Sequence, residues 1–90
     1  MMPQAIGDPD ELDRFAQSLT QFIDTLNEAV NGLNHSFGAL GDTWQDEKRA
    51  SFEEDYNALV QQLSHFEANA SEQVPYLHAL ASRLRDYLQS

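Results

Sequence analysis

Cysteine is missing from the sequence, so disulfide bonds and thiol chemistry are excluded and the redox compartment leaves no mark on it. Basic residues are scarce: 5 Lys plus Arg stand against 15 Asp plus Glu, a net charge of −10. That balance argues against nucleic acid as a partner, because phosphate binding relies on Lys and Arg to displace counterions. An anionic membrane surface is disfavoured for the same reason. No apolar run approaches the roughly 20 residues of a membrane span. Residues Met1 to Asp13 carry neither a basic flank nor an apolar core, which is not the layout of a cleaved signal peptide. What remains is a chain of 90 residues, the size of a single domain spanning 1–90. At 41% hydrophobic it is too apolar for a disordered acidic tail.

The apolar residues are strongly periodic. Leu12, Leu19, Leu26, Leu33 and Leu40 recur every seven residues, followed three positions on by Phe15, Phe22 and Ala29, with Ala16, Ile23, Val30 and Phe37 in the next slot. This spacing predicts an amphipathic helix over about 9–39 with a broad apolar face. Asp8 can cap it, Pro9 suits the first helical position, and Glu11 completes an Asp-x-x-Glu capping box. Gly41 is a natural stop. Gly32 and Gly38 weaken the helix by about 1 kcal/mol each; Gly32 would permit close approach of another helix, and fraying of the helix toward Gly38 is the equal alternative. After a turn at about 40–44, Phe52, Tyr56, Leu59, Leu63, Phe66, Ala70, Val74, Leu77, Leu80, Leu84 and Tyr87 follow in steps of three and four, widened by Val60, Ala81 and Leu88. A second helix over about 45–89 is expected, capped by Asp42 or Thr43, with Gln45 or Asp46 at the matching third position. Pro75 removes a backbone donor and crowds the carbonyl of Ser71. Because the stripe keeps its phase across Pro75, one helix kinked there is favoured over two separate helices.

Two helices with so short a connection must fold back as an antiparallel hairpin. The fold class is therefore all-α. Both stripes are wider than the single seam of a hairpin. Burying a large apolar side chain contributes ~1.5–3 kcal/mol, against about 1.5 kcal/mol for ordering each residue. A short hairpin that leaves half its stripe in water is poorly stabilised. The expectation is dimerisation into a four-helix bundle, with Leu19, Phe22, Ile23, Leu26, Leu33, Leu59, Leu63 and Phe66 forming core and dimer contact.

Catalytic and metal sites find little support. His35, His65 and His78 have no ligand-type neighbour one helical turn away, and neither Glu-x-x-His nor His-Glu-x-x-His occurs. Glu53, Glu54 and Asp55 form an acidic run without the alternating ligands and glycine of a calcium loop, and read as a solvated face. No serine sits in a nucleophile-elbow context and no glycine-rich phosphate loop is present. We expect neither catalysis nor a cofactor.

Trp44 is the one tryptophan, and it falls mid-chain beside the turn. As a structural residue it would staple the end of the hairpin. The segment from Gly41 through Trp44-Gln45-Asp46 to Phe52 and Tyr56 resembles the centre of the WXG family, helical hairpins that include the early secreted antigenic target proteins of type VII secretion. That family places Trp-x-Gly between two amphipathic helices, commonly with an aromatic eight residues after the Trp and another four further on, here Phe52 and Tyr56. The resemblance extends to length, acidity, both stripes and the lack of cysteine. It departs in two places. Asp46 stands where the family has glycine, and no Tyr-x-x-x-Asp/Glu secretion signal is found: Tyr76 is followed four residues later by Leu80, and Tyr87 has three residues after it.

The resemblance implies a non-enzymatic protein that acts by helix–helix docking, a substrate or partner of a type VII-like secretion system. Trp44, Asp46, Phe52 and Tyr56 would form the recognition motif. The implied partners are a second copy, a related hairpin, a secretion ATPase or a larger effector. The implied location is outside the cell without a cleaved signal, or the cytoplasm before export. The rival reading is a cytosolic adaptor or chaperone-like bundle that is not exported.

Overall fold

A computed structural model describes residues 7–89. Two α-helices make up the architecture, α1 over Pro9–Leu40 and α2 over Glu47–Gln89, packed against each other as an antiparallel hairpin. The molecule is a rod of 66 × 18 × 17 Å with a radius of gyration of 20.2 Å. A compact domain of this length would have a radius of gyration of about 12 Å, so among the described residues the hairpin has no second layer packed on it.

The start of α1 follows the sequence. Asp8 is extended, and its carboxylate accepts the Asp10 N–H at 2.9 Å. Pro9 takes the first helical position, where its missing N–H has no partner to lose. Only this half of the capping box forms; among the described residues Glu11 makes no reciprocal bond.

The other end departs from expectation. Gly41 caps α1 but keeps right-handed backbone angles, φ −62° and ψ −20°, so it is not a left-handed stop. The helix ends by tightening. Gly41, Asp42 and Thr43 each donate a backbone N–H three residues back, to Gly38, Ala39 and Leu40. Trp44 N–H then closes on Leu40 O at 2.9 Å. The winding carries the chain past Asp42 and Thr43 without freeing either to cap α2. The cap is Asp46, and α2 begins at Glu47 rather than near residue 45.

Helix α2 runs unbroken through Pro75, so one helix rather than two carries the second stripe. Pro75 and Ser71 are both exposed, which lets water reach the carbonyl that proline leaves unbonded.

Between the helices the closed core is small. Among the described residues Ala16, Tyr56, Ala70 and Ala81 are buried, and no large side chain is fully enclosed. Three of the four are alanines, which permit close helix approach along the seam. Leu19, Ile23, Leu26 and Leu63 are half-buried beside them. Phe22, Leu33, Leu59 and Phe66 are exposed. The eight residues expected to share core and dimer duty thus divide into a seam set and an outer set.

Candidate recognition corner and apolar face

The corner between the helices is built on Asp46. Its Oδ1 accepts the backbone N–H of Lys48 at 3.0 Å and of Arg49 at 3.1 Å, the second and third positions of α2. The Arg49 N–H is shared with the Asp46 carbonyl at 3.1 Å, the Lys48 N–H is one of the donors a helix start leaves unpaired, and a carboxylate there also meets the positive end of the helix dipole. The same carboxylate oxygen accepts the Trp44 indole N–H at 2.9 Å. Gln45 reaches back to Gly41 O at 3.2 Å. The loop is therefore closed by side chains from its α2 end.

From Trp44 an aromatic series runs along the seam. Trp44 lies 5.8 Å from Phe52, ring centre to ring centre. Phe52 lies 5.9 Å from Phe37, and Phe37 stacks on Tyr56 at 4.6 Å. Trp44 is half-buried and Phe52 exposed. Tyr56, expected in the recognition motif, is instead buried in the seam, its hydroxyl donating to Asn34 Oδ1. Of the four motif residues, Trp44, Asp46 and Phe52 share one solvent-facing corner and Tyr56 supports it from within.

Arg49 completes the corner. Its guanidinium sits 5.3 Å from the Phe37 ring centre and 3.5 Å from Glu53. Glycine at 41 makes room for it, since a Cβ there would fall 2.6 Å from Arg49 Nη2. This packing role was not visible in the sequence, where Gly41 reads as a helix stop.

Next to the corner lies an open apolar groove of about 450 Å³, walled by Leu33, Leu40, Phe52 and Leu59 with Phe37 and Tyr56 between them. It continues into a face carrying Phe15, Phe22 and Phe66, all exposed. The rows flanking this face at heptad spacing run Glu11, Ser18, Thr25 and Gly32 on α1, and Asp55, Gln62 and Asn69 on α2. Each row is neutral except for the acid at its start.

At the far end of the rod, α1 and α2 are clasped by charge. Asp13 accepts from His78 Nδ1 at 2.7 Å and from Arg85 Nη2 at 2.6 Å, and Arg85 also reaches Asp10 at 2.8 Å. The hydrogen bonds from His78 and Arg85 hold the Asp13 carboxyl below its ordinary pKa, and those that Arg85 donates to Asp10 and Asp13 raise its own. Among the described residues no three His, Asp or Glu side chains gather as a metal site, and no helix is long and apolar enough to cross a membrane.

The family model WXG100, "proteins of 100 residues with WXG", matches residues 6–87. The chain belongs to the WXG family. No curated protein and no solved structure matches it significantly. WXG proteins are small, non-enzymatic helical hairpins linked to type VII secretion, and they typically pair with related hairpins. This WXG protein keeps the hairpin with Asp46 in the glycine position, because the carboxylate supplies a helix cap in return for the lost small residue.

Proposed function

We propose that this chain is a substrate or escort of a type VII-like secretion system that works as half of a four-helix bundle, docking its apolar face on a second hairpin. The observation carrying this reading is the exposure of Phe15, Phe22, Leu33, Leu40, Phe52, Leu59 and Phe66 along one face of the rod. A continuous apolar patch of that kind is uncommon on a free monomer and is characteristic of an interface. A second copy fits it well. Over Ser18, Thr25, Gln62 and Asn69 the rim is neutral, so the middle of the face can meet a second acidic chain without opposing carboxylates, and Glu11 and Asp55 are the acids that border it. A related hairpin bearing the same stripes would fit in the same way.

The Trp44 corner stays at the tip of such a bundle, available to a secretion ATPase or a larger effector. In this reading export proceeds through a partner hairpin that carries the tyrosine signal. Sedimentation of the purified chain at micromolar concentration should give about twice the chain mass. A folded, non-aggregating monomer there would eliminate the second copy and leave a heterologous hairpin. Export is tested separately, by following the chain into the medium of its native host with and without the secretion ATPase. Retention of an intact dimer in both cases would favour the cytosolic adaptor.

A further inference from the structure

We propose that Asp46 is a positioning residue for Trp44: it fixes the indole against the start of α2 and leaves the ring without a free hydrogen-bond donor. The inference rests on reading Trp44 as the recognition residue, and it concerns what this chain does with the position that glycine holds in Trp-x-Gly. A glycine there has no side chain with which to orient the neighbouring ring. Here one carboxylate oxygen takes three donors, the Trp44 indole at 2.9 Å and the amides of Lys48 and Arg49 at 3.0 and 3.1 Å. Tryptophan has a single N–H and no acceptor, so engaging it internally leaves only the ring to present.

The geometry makes that ring part of a fixed surface. Its hydrogen bond to a charged acceptor is of the stronger kind, and the acceptor is itself held by the first turn of α2. The ring also lies 5.8 Å from Phe52, itself exposed. Trp44 is thus restrained by two contacts before any partner arrives, which lowers the ordering cost of docking. Because capping and indole binding share one oxygen, the orientation of Trp44 is tied to formation of the α2 start.

Three variants of the full chain separate positioning from capping. Asp46→Asn keeps an acceptor oxygen within reach of both. Asp46→Ser can still cap the helix but is too short to hold the indole as well. Asp46→Gly removes both functions. With one tryptophan in the chain, its indole N–H is a single, unambiguous signal in proton–nitrogen NMR. Hydrogen exchange of that N–H is expected to speed up by about tenfold in the Ser and Gly variants and to change little in the Asn variant. Acrylamide quenching of Trp44 fluorescence should rise in the same two, while circular dichroism shows α2 intact in the Ser variant. In the native host, export should fall for Ser and be restored by Asn. Wild-type indole exchange in the Ser and Gly variants would overturn the inference. So would a Ser variant whose indole is released and whose export equals that of Asn. Normal export of Trp44→Ala would remove the recognition reading instead, and the exchange measurement would still decide whether Asp46 holds the ring.

Discussion

Phe22 of α1 and Phe66 of α2 meet edge to face across the hairpin, with ring centres 6.0 Å apart and planes at 90°. Both remain about half exposed, at 50% and 47%. The pair links the two helices while still facing outward, which is the geometry of a residue pair that serves the hairpin and its docking face together. Such aromatic pairs contribute roughly 0.5–1.5 kcal/mol beyond their buried area. Phe22→Ala and Phe66→Ala should therefore be non-additive by about that amount. Urea unfolding of the two single variants and the double variant, at one protein concentration, measures it. Additive effects would show that the rings do not interact in solution.

Much of the fold was legible because a helix repeats its face nearly every seven residues, and the leucines from Leu12 to Leu40 keep that spacing throughout. Less legible was which part of a broad stripe closes the seam. Apolar patterning favours the largest residues, whereas close helix approach selected Ala16, Ala70 and Ala81. The α2 cap was ambiguous because Asp42, Thr43 and Asp46 all have capping chemistry. Their order was settled by three tight backbone turns that no side-chain pattern announces. The clasp of Asp13 with His78 and Arg85 joins residues 65 and 72 positions apart. Such a pairing can be read only once the register of the hairpin is known.

Ala81 is fully enclosed, at 0% exposure, as is Ala16. Space at these positions is set by the approach of the two helices. Ala81→Leu adds a side chain that the seam can accept only by moving α1 away or adopting a poor rotamer. Overpacking of this kind typically costs about 1–3 kcal/mol. The expected result is a lower urea midpoint, whereas Ala79→Leu on the exposed side of the same helix should leave it nearly unchanged. Equal tolerance at both positions would mean that the seam does not run through Ala81.

Gly32 gives a test of the docking face that leaves the hairpin seam alone. A Cβ built there meets nothing within 4 Å, so the close approach a glycine permits is not used by α2. Within the hairpin Gly32→Ala should simply strengthen α1, by about 1 kcal/mol from helix propensity. Measured at a concentration low enough to keep the chain monomeric, thermal stability should rise. If a second hairpin packs closely against this part of α1, the same variant should weaken association, seen as a higher dissociation constant in sedimentation. A gain in both quantities would place the partner helix elsewhere on the face.

The charged clasp at the open end predicts a specific response to acid. Asp13 is held below its ordinary pKa first by the hydrogen bond from His78 and next by that from Arg85. A carboxyl with a lower pKa in the folded state binds fewer protons there than when unfolded, so stability rises with pH across the interval between the two values. The contribution is complete above the unfolded value, near pH 4, and is lost as the pH falls through the lower folded value. Between pH 5 and neutrality this group should produce no slope. Asp13→Asn abolishes the titration while preserving the shape of the side chain. Urea midpoints taken from pH 6 down to pH 2.5 should therefore fall more steeply for the natural chain than for the variant, with the difference confined to the acid side of about pH 4. The other carboxylates titrate in both proteins, so only the difference between the curves reports on Asp13. Parallel curves over the whole range would show that the contacts of Asp13 with His78 and Arg85 do not persist in solution.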